Sequence, residues 1–162
     1  MTDMARQHIR DWLVDAHAIE VQAEKLFSGH ADKLNAHPEI QKRLHFEINY
    51  ATEHKVLLSI RMQQLGCNKS LLKDIEGKLS AKVKNFSGIA VNDEPVKVIL
   101  TLHSFTQMAI GSYQILIAAA LELNDNETLT VCKTILNRAQ SRANWIEEAL
   151  AYVTRLFILN SE

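Results

Sequence analysis

Residues 9–27 read IRDWLVDAHAIEVQAEKLF, and this stretch decides the fold of the chain. Its apolar side chains return every three or four positions, the spacing that places them on one face of an α-helix. The positions concerned are Ile9, Trp12, Ala16, Ile19, Ala23 and Leu26. The whole chain holds only two prolines and five glycines, and no apolar–polar alternation marks a strand. We therefore predict an all-α protein whose first long helix covers about residues 2–30.

Helix-bounding residues delimit three further long helices. Pro38 suits a first helical turn, Gly66 favours a left-handed C-terminal cap, and Pro95 opens another helix. A polar link, residues 124–126, separates the last two helices. The predicted long helices cover about residues 2–30, 38–65, 95–123 and 127–157, with a shorter, more polar helix over about residues 70–86.

The order long, long, short, long, long predicts a ferritin-like antiparallel four-helix bundle. In that arrangement a crossover connection joins helices 2 and 3, and the short helix would lie within it. A chain of 162 residues is long enough to form one continuous core. We therefore predict a single ferritin-like domain over residues 1–162.

Charge and composition narrow the class of protein. Lys plus Arg number 18 against 19 Asp plus Glu, so no net field favours nucleic acid or an acidic membrane. Residues 1–10 lack the apolar core of a secretory signal, and the isolated Cys67 and Cys132 suit a reducing compartment. Residues 98–121 carry no Asp, Glu, Lys or Arg, but their polar side chains favour a buried helix over a membrane span. We expect a cytoplasmic protein that binds neither nucleic acid nor membranes.

Ferritin-like proteins that hold two metal ions offer a direct test of this sequence. Two helices each supply a Glu and the other two each supply Glu-x-x-His, because hard divalent ions need oxygen ligands aimed inward. No Glu of this chain is followed by His three residues later, and residues 95–121 contain no carboxylate. The fourth helix offers Arg138 and Arg142 where acids would be required. We therefore predict that no di-metal site is present.

Some polar residues nevertheless fall on core-facing stripes. Glu20 lies on the inner stripe of the first helix, and Glu47, Tyr50 and His54 lie within two turns of one face of the second. One interpretation is a satisfied polar cluster, in which Glu20 or Glu47 pairs with Arg138 and Tyr50 donates a hydrogen bond. A second is a single-ion site formed by Glu20, Glu47 and His54, and a third is simple exposure on the surface.

Several segments resemble the YciE/YciF family of ferritin-like stress proteins, and its YciE branch most of all. The likeness extends over nearly the whole chain. It is carried by residues 11–24, His37-Pro38-Glu39, residues 70–88, Tyr113 with residues 115–120, and residues 135–146. The resemblance implies a ferritin-like fold, a dimer, a bacterial stress setting and acidic side chains that bind two iron or manganese ions.

The same resemblance shows which acids are replaced. The family's second helix usually reads His-Leu-x-Glu-Thr, its third Glu-x-x-Glu-Ile-Ala-x-Tyr and its fourth Leu-x-Glu-Glu. The matching stretches here are EINYA at residues 47–51, TQMAIGSY at residues 106–113 and LNRA at residues 136–139. Glu20 carries over, whereas neutral or basic residues replace acids at Tyr50, Thr106, Ala109 and Arg138. The predicted vestigial site therefore comprises Glu20, Glu47, Tyr50, His54, Thr106 and Arg138.

Three functions follow from these observations. The first is a degenerate, metal-free ferritin-like protein without catalytic residues, which acts as a homodimer or binds a protein partner in a bacterial stress response. The second is an iron or manganese oxidoreductase or storage protein, with a di-metal site or a single ion at Glu20, Glu47 and His54. The third is a small-molecule binder that uses an apolar space between the helices.

Overall fold

The computed structural model describes residues 3–68, 70, 73 and 94–161, and this part of the chain forms four long helices without a strand. They are α1 (Asp3–Ala31), α2 (Pro38–Gln64), α3 (Pro95–Glu122) and α4 (Asn126–Leu159), with a 3-10 turn at Asp32–Leu34. The predicted all-α helical bundle is confirmed. The bounds differ from the predicted ones by at most two residues, and the short helix predicted over residues 70–86 lies almost wholly outside the described residues.

The helices begin and end at residues whose backbone chemistry favours a boundary. Pro38 and Pro95 each occupy a first helical position, where the missing N–H costs no hydrogen bond. Gly66 adopts a φ of 78° after α2, and Asn124 adopts a φ of 54° after α3. Asp125 caps α4 by accepting a 3.0 Å hydrogen bond from the Thr128 backbone N–H.

Each helix runs antiparallel to both of its neighbours. Along α1, residues 20 and 27 contact residues 113 and 105 of α3, so the numbers fall on one helix as they rise on the other. The same holds for α2 and α4, which are joined through Glu47–Arg142 and Glu53–Arg138. The diagonal helices α2 and α3 therefore run in the same direction. The end of α2 and the start of α3 lie at opposite ends of the bundle.

Two large apolar clusters fill most of the interior, one toward each end, and a small third cluster joins α3 to α4. The first contains Phe27, Leu44, Leu102, Phe105 and Ile146. The second contains Leu13, Leu58, Tyr113, Leu116 and Ile135. Full burial of an aliphatic or aromatic side chain of this size contributes roughly 1.5–3 kcal/mol, so the clusters supply the main stabilising term. Along α1, Ala16 belongs to one cluster and Ile19 to the other, which places Glu20 near their junction.

Among the described residues, only α3 is long and apolar enough to cross a membrane by length and composition. Its inner face carries Ile99, Leu102 and Phe105, all of which are buried in the first cluster. The central helix of a soluble bundle passes the same test, so this property alone is weak evidence for a membrane span.

Candidate functional site

A layer of buried polar side chains lies near the junction of the two apolar clusters. We call it the central polar layer, and it consists of Glu20, Glu47, His54, Thr106, Tyr113 and Arg142, all of which are buried. All four helices contribute to it. Buried polar and charged groups are costly unless they are paired, so the contacts of each member decide what the layer can do.

One half of the layer is built around Arg142, whose side chain is 4% exposed. Its Nη1 lies 3.4 Å from Oε2 of Glu47, and its Nε donates a 2.9 Å hydrogen bond to Oγ1 of Thr106. Its guanidinium also lies 4.9 Å from the centre of the Phe27 ring. The other carboxylate oxygen of Glu47 accepts a 2.9 Å hydrogen bond from Nε of Arg43. Glu47 is therefore held between two cations.

The other half of the layer is a chain of hydrogen bonds from α3 through α1 to α2. Oη of Tyr113 donates to Oε1 of Glu20 over 2.5 Å, and Oε2 of Glu20 lies 3.2 Å from Nδ1 of His54. Nε2 of His54 lies 3.3 Å from Nη1 of Arg138. A guanidinium can only donate, so Nε2 accepts and the ring proton sits on Nδ1, where it points at Glu20.

Tyr113 remains a hydrogen-bond donor over the physiological pH range. Complete burial raises the pKa of Tyr113 well above its usual value, and the negative charge of Glu20 raises it further. The phenol is therefore neutral and donates a hydrogen bond to one oxygen of Glu20, while His54 donates a hydrogen bond to the other.

Arg138 and Tyr50 lie at the edge of the layer, and Arg138 does not form the ion pair with Glu20 or Glu47 that one interpretation of the sequence gave it. Arg138 bonds Oε2 of Glu53 over 2.7 Å, and neither Glu20 nor Glu47 is its ion-pair partner. The side chain of Arg138 is 33% exposed, because position 138 faces α2 near solvent while position 142, one turn later, faces the interior. Tyr50 contributes its ring, which stacks on the imidazole of His54 with centroids 6.3 Å apart and lies 4.4 Å from the Arg138 guanidinium carbon.

The donor set of this layer does not fit a di-metal centre. Both oxygens of Glu47 are bound by arginines, whereas Glu20 and His54 contact each other. Within the described ranges, no three His, Cys, Asp or Glu side chains are grouped to hold a metal ion. A permanently charged guanidinium stands among the groups that would have to bind the cation.

Arginine side chains bridge α2 and α4 at four levels between the start of α4 and Trp145. From one end of the bundle to the other, the bridging residues are Arg43, Arg142, Arg138 and Arg61. Arg61 bonds Oδ1 of Asp125 and Oγ1 of Thr128, each over 2.8 Å, and also pairs with Glu127. Burial opposes ionisation of Asp125, but hydrogen bonds from Thr128 and Arg61 outweigh it and lower the pKa of this carboxyl.

A groove beside this α2–α4 contact exposes large aromatic side chains. Phe46 on α2 and Tyr152 on α4 are each 51% exposed, and Trp145 lies half-buried between the two helices. The guanidinium of Arg43 sits 5.2 Å from the Trp145 ring centre. The groove has a volume of about 510 Å³, and we refer to it as the aromatic groove.

Sequence reasoning did not place Tyr113 and Arg43 in the site. It noted Arg142 beside Arg138 as a cation where acids would be required, but the predicted vestigial site included only Arg138. Arg142 and Arg138 share one face of α4, and the family pattern pointed to position 138 alone. Arg43 lies four residues before Glu47, which is the spacing of an ion pair on a helix. That spacing was the available signal for Arg43.

The fold and site define an antiparallel four-helix bundle whose centre is held by buried ion pairs and hydrogen bonds. A protein-family model described as "Domain of unknown function (DUF892)" matches residues 4–158, and the chain belongs to this family. Its structure is similar to the crystal structure of a protein (XCC3681) from Xanthomonas campestris pv. campestris str. ATCC 33913, with a TM-score of 0.80 over 98% of each chain. The two sequences are 20% identical, so this likeness shows a shared fold alone.

Proposed function

We propose that this protein is a ferritin-like bundle of the YciE/YciF type in which an ion-pair layer has replaced the di-metal centre. In this proposal it acts as a self-associating, partner-binding protein and not through metal chemistry. The single observation that carries the proposal is Arg142, which reaches the bundle interior and bonds Glu47 and Thr106.

The charge of Arg142 opposes a divalent ion at the same place. Arginine does not lose its proton in proteins, so its charge persists at any working pH. Two unit charges 4 Å apart repel by about 4 kcal/mol at an effective dielectric near 20, and a divalent ion doubles the charge involved. A metal would also have to displace Arg142 from Glu47, leaving a buried cation without its partner.

The metal content of the purified protein tests this part of the proposal. The protein is produced with added iron and manganese, purified without chelator and measured by elemental analysis, and we expect far less than one metal ion per chain. A Thr106→Glu/Arg142→Glu double variant adds acids beside Glu47 and should gain metal, whereas Lys133→Glu on the exposed face of α4 should not. Stoichiometric iron or manganese in the wild-type protein would favour the oxidoreductase or storage function instead.

The aromatic groove supports self-association as the mode of action. Tyr, Trp and Arg are the residue types that most often dominate binding energy at protein interfaces, and the groove brings together Tyr152, Trp145 and Arg43. Its rim carries Glu39 and Lys42 on one helix. A surface with both signs of charge can pair with its own copy across a two-fold axis.

Sedimentation velocity tests whether this surface forms a dimer. We expect the wild-type protein to sediment as a dimer and the Phe46→Glu variant as a monomer, because the substitution places a charge in the groove. Ile115→Glu is the matched control, since Ile115 is 54% exposed on α3, away from the groove. A monomeric wild-type protein, or equal dissociation of both variants, would contradict self-association through this groove.

The stress setting and the cytoplasmic location rest on the resemblance of residues 11–24 and their companion segments to the YciE/YciF family. We expect the protein to become more abundant in its host after osmotic or oxidative shock, and to fractionate with cytoplasmic proteins. Quantitative immunoblotting of fractionated cells before and after shock measures both. Constant abundance under every shock would remove the stress assignment while leaving the dimer proposal standing.

A further inference from the structure

A second cavity lies at the end of the bundle where α1 begins, α2 and α3 end and α4 starts. Its volume is about 350 Å³, and its lining includes Arg6, Arg10, Arg61, Asp125, Ile9 and Leu123. We refer to it as the terminal cavity. It shares no residue with the central polar layer or with the aromatic groove.

The lining of the terminal cavity is strongly basic for its size. Three guanidinium groups border it, against one carboxylate, that of Asp125. Arg6 and Arg10 are four residues apart on α1 and therefore lie on the same helical face. An anion bound at this face would contact both guanidinium groups.

Asp125 is already committed to other partners. Its Oδ1 accepts from Nη2 of Arg61 over 2.8 Å and from the Thr128 backbone N–H over 3.0 Å, and its Oδ2 accepts from the Thr128 hydroxyl over 2.6 Å. Arg61 is in turn paired with Glu127 as well as with Asp125. The charge of Arg61 is thus balanced within the protein, and both carboxylate oxygens of Asp125 already accept hydrogen bonds.

The rest of the lining determines what kind of anion would fit. Ile9 is buried, and it forms an apolar wall with Leu65 and Leu123. Ligand pockets of about 300–1,000 Å³ typically combine apolar walls with a few charged or polar groups that fix orientation. The guanidinium fork matches the two oxygens of a carboxylate or a phosphate.

We propose that the terminal cavity binds a small organic anion, with its carboxylate or phosphate held by Arg10 and Arg6 and its apolar body resting on Ile9, Leu65 and Leu123. This site is independent of the proposed function, because it involves neither Arg142 nor the aromatic groove. The size and the apolar wall favour an organic anion over an inorganic one.

Isothermal titration calorimetry with four probes tests the proposal: benzoate, phenyl phosphate, benzamide and inorganic phosphate. We expect benzoate or phenyl phosphate to bind, neutral benzamide of similar shape not to bind, and inorganic phosphate to bind at least about tenfold more weakly, since it has no apolar body. The stronger of the two organic anions identifies the preferred acid group.

Variants of Arg10 locate the binding site. Arg10→Gln should weaken binding of the organic anion by about tenfold, the effect of one lost charge-assisted contact, while Arg10→Lys retains the charge and should weaken it less. Arg155→Gln on the exposed part of α4 is the matched control and should bind as the wild type does. Circular dichroism establishes that each variant is folded. Equal binding by Arg10→Gln and wild type, equal binding of benzamide, or no binding by either organic anion would overturn the proposal.

Discussion

Glu47 is completely buried and bonds two arginines, so the stability of the fold should be sensitive to the loss of either partner. Removing one partner of a buried ion pair leaves an uncompensated charge in a poorly polarisable interior and typically costs about 3–5 kcal/mol. Arg142→Leu should therefore lower the free energy of unfolding by roughly this amount, toward the low end because Arg43 still bonds Glu47. Urea denaturation followed by circular dichroism measures the change.

A double variant distinguishes loss of the charge pair from loss of packing. Replacing both members, as in Glu47→Leu/Arg142→Leu, should recover much of the stability, because no buried charge is then left alone. Arg155→Leu on the surface should change stability by no more than about 0.5 kcal/mol. A double variant less stable than Arg142→Leu would show that the ion pair itself stabilises the fold.

Tyr113 gives the protein a stability that depends on pH at the alkaline end. Its pKa is raised in the folded state, first by burial and then by Glu20, so the unfolded chain loses the phenolic proton at a lower pH than the folded one. The contribution is complete below about pH 10 and is lost as the pH rises further, because ionisation then favours the unfolded state. We expect Tyr113→Phe to show a shallower loss of stability above pH 10 than the wild type.

The same Tyr113→Phe variant should be less stable than wild type near neutral pH by about 1–3 kcal/mol, since Oε1 of Glu20 loses its buried donor. Denaturant titrations at several pH values provide both readings. Tyr152→Phe is the control, because Tyr152 is half exposed on α4. Parallel alkaline profiles for Tyr113→Phe and wild type would contradict the burial of this phenol.

The sequence was sufficient to single out Glu20, Glu47, His54 and Thr106, but it did not predict how they pair. Periodicity places positions 138 and 142 on roughly the same face of a helix, and the orientation of α4 about its own axis decides which of them reaches the interior. That orientation follows from the packing of α4 against α2 and α3, which is a long-range property. Tyr113 was visible as part of residues 106–113, yet its bond to Glu20 spans 93 positions in the chain.

At the scale of elements, the start of α4 depends on one side chain with two roles. Asp125 caps the helix through Thr128 and also accepts a hydrogen bond from Arg61 of α2. Asp125→Ala removes both and should cost more than the roughly 0.5–2 kcal/mol of a lost N-cap. Asp125→Asn keeps a side-chain acceptor for the cap but loses the charge opposite Arg61, so its cost should be smaller. Thermal unfolding measures the loss of stability in both variants. Equal destabilisation would show that the ion pair with Arg61 matters more than the helix cap.

The elements themselves were predictable because their boundaries are local. Pro38 and Pro95 restrict φ through their rings, and Gly66 permits a positive φ because it has no Cβ, so the effect of each can be inferred without knowing what surrounds it. Which helices pack against each other, in contrast, is not determined by local sequence. The placement of α1 beside α3, and of α2 beside α4, depends on which apolar and polar faces complement each other across distant parts of the chain.

At the scale of the whole molecule, α1 packs closely against α2 and α3 against α4, while α2 and α4 approach each other less closely. Charged side chains bridge this looser contact, and they differ in exposure. Glu53 and Glu127 are 58% and 69% exposed, whereas Glu47 is fully buried. At 1 M ionic strength the Debye length is about 3 Å, so salt weakens interactions between exposed charges. It weakens buried pairs much less.

The free energy of unfolding should therefore fall as the sodium chloride concentration is raised, by about 0–1 kcal/mol for each exposed ion pair. A Glu53→Gln/Glu127→Gln variant lacks those two charges, so its stability should depend less on salt than that of the wild type. Arg142→Leu should keep the wild-type slope, because the Glu47 pair that it breaks is shielded from ions in solution. Urea denaturation at low and high salt measures all three slopes. A flattened slope in Arg142→Leu would mean that solvent reaches the centre of the bundle, and the interior would then be open to the metal ions that Arg142 is proposed to exclude.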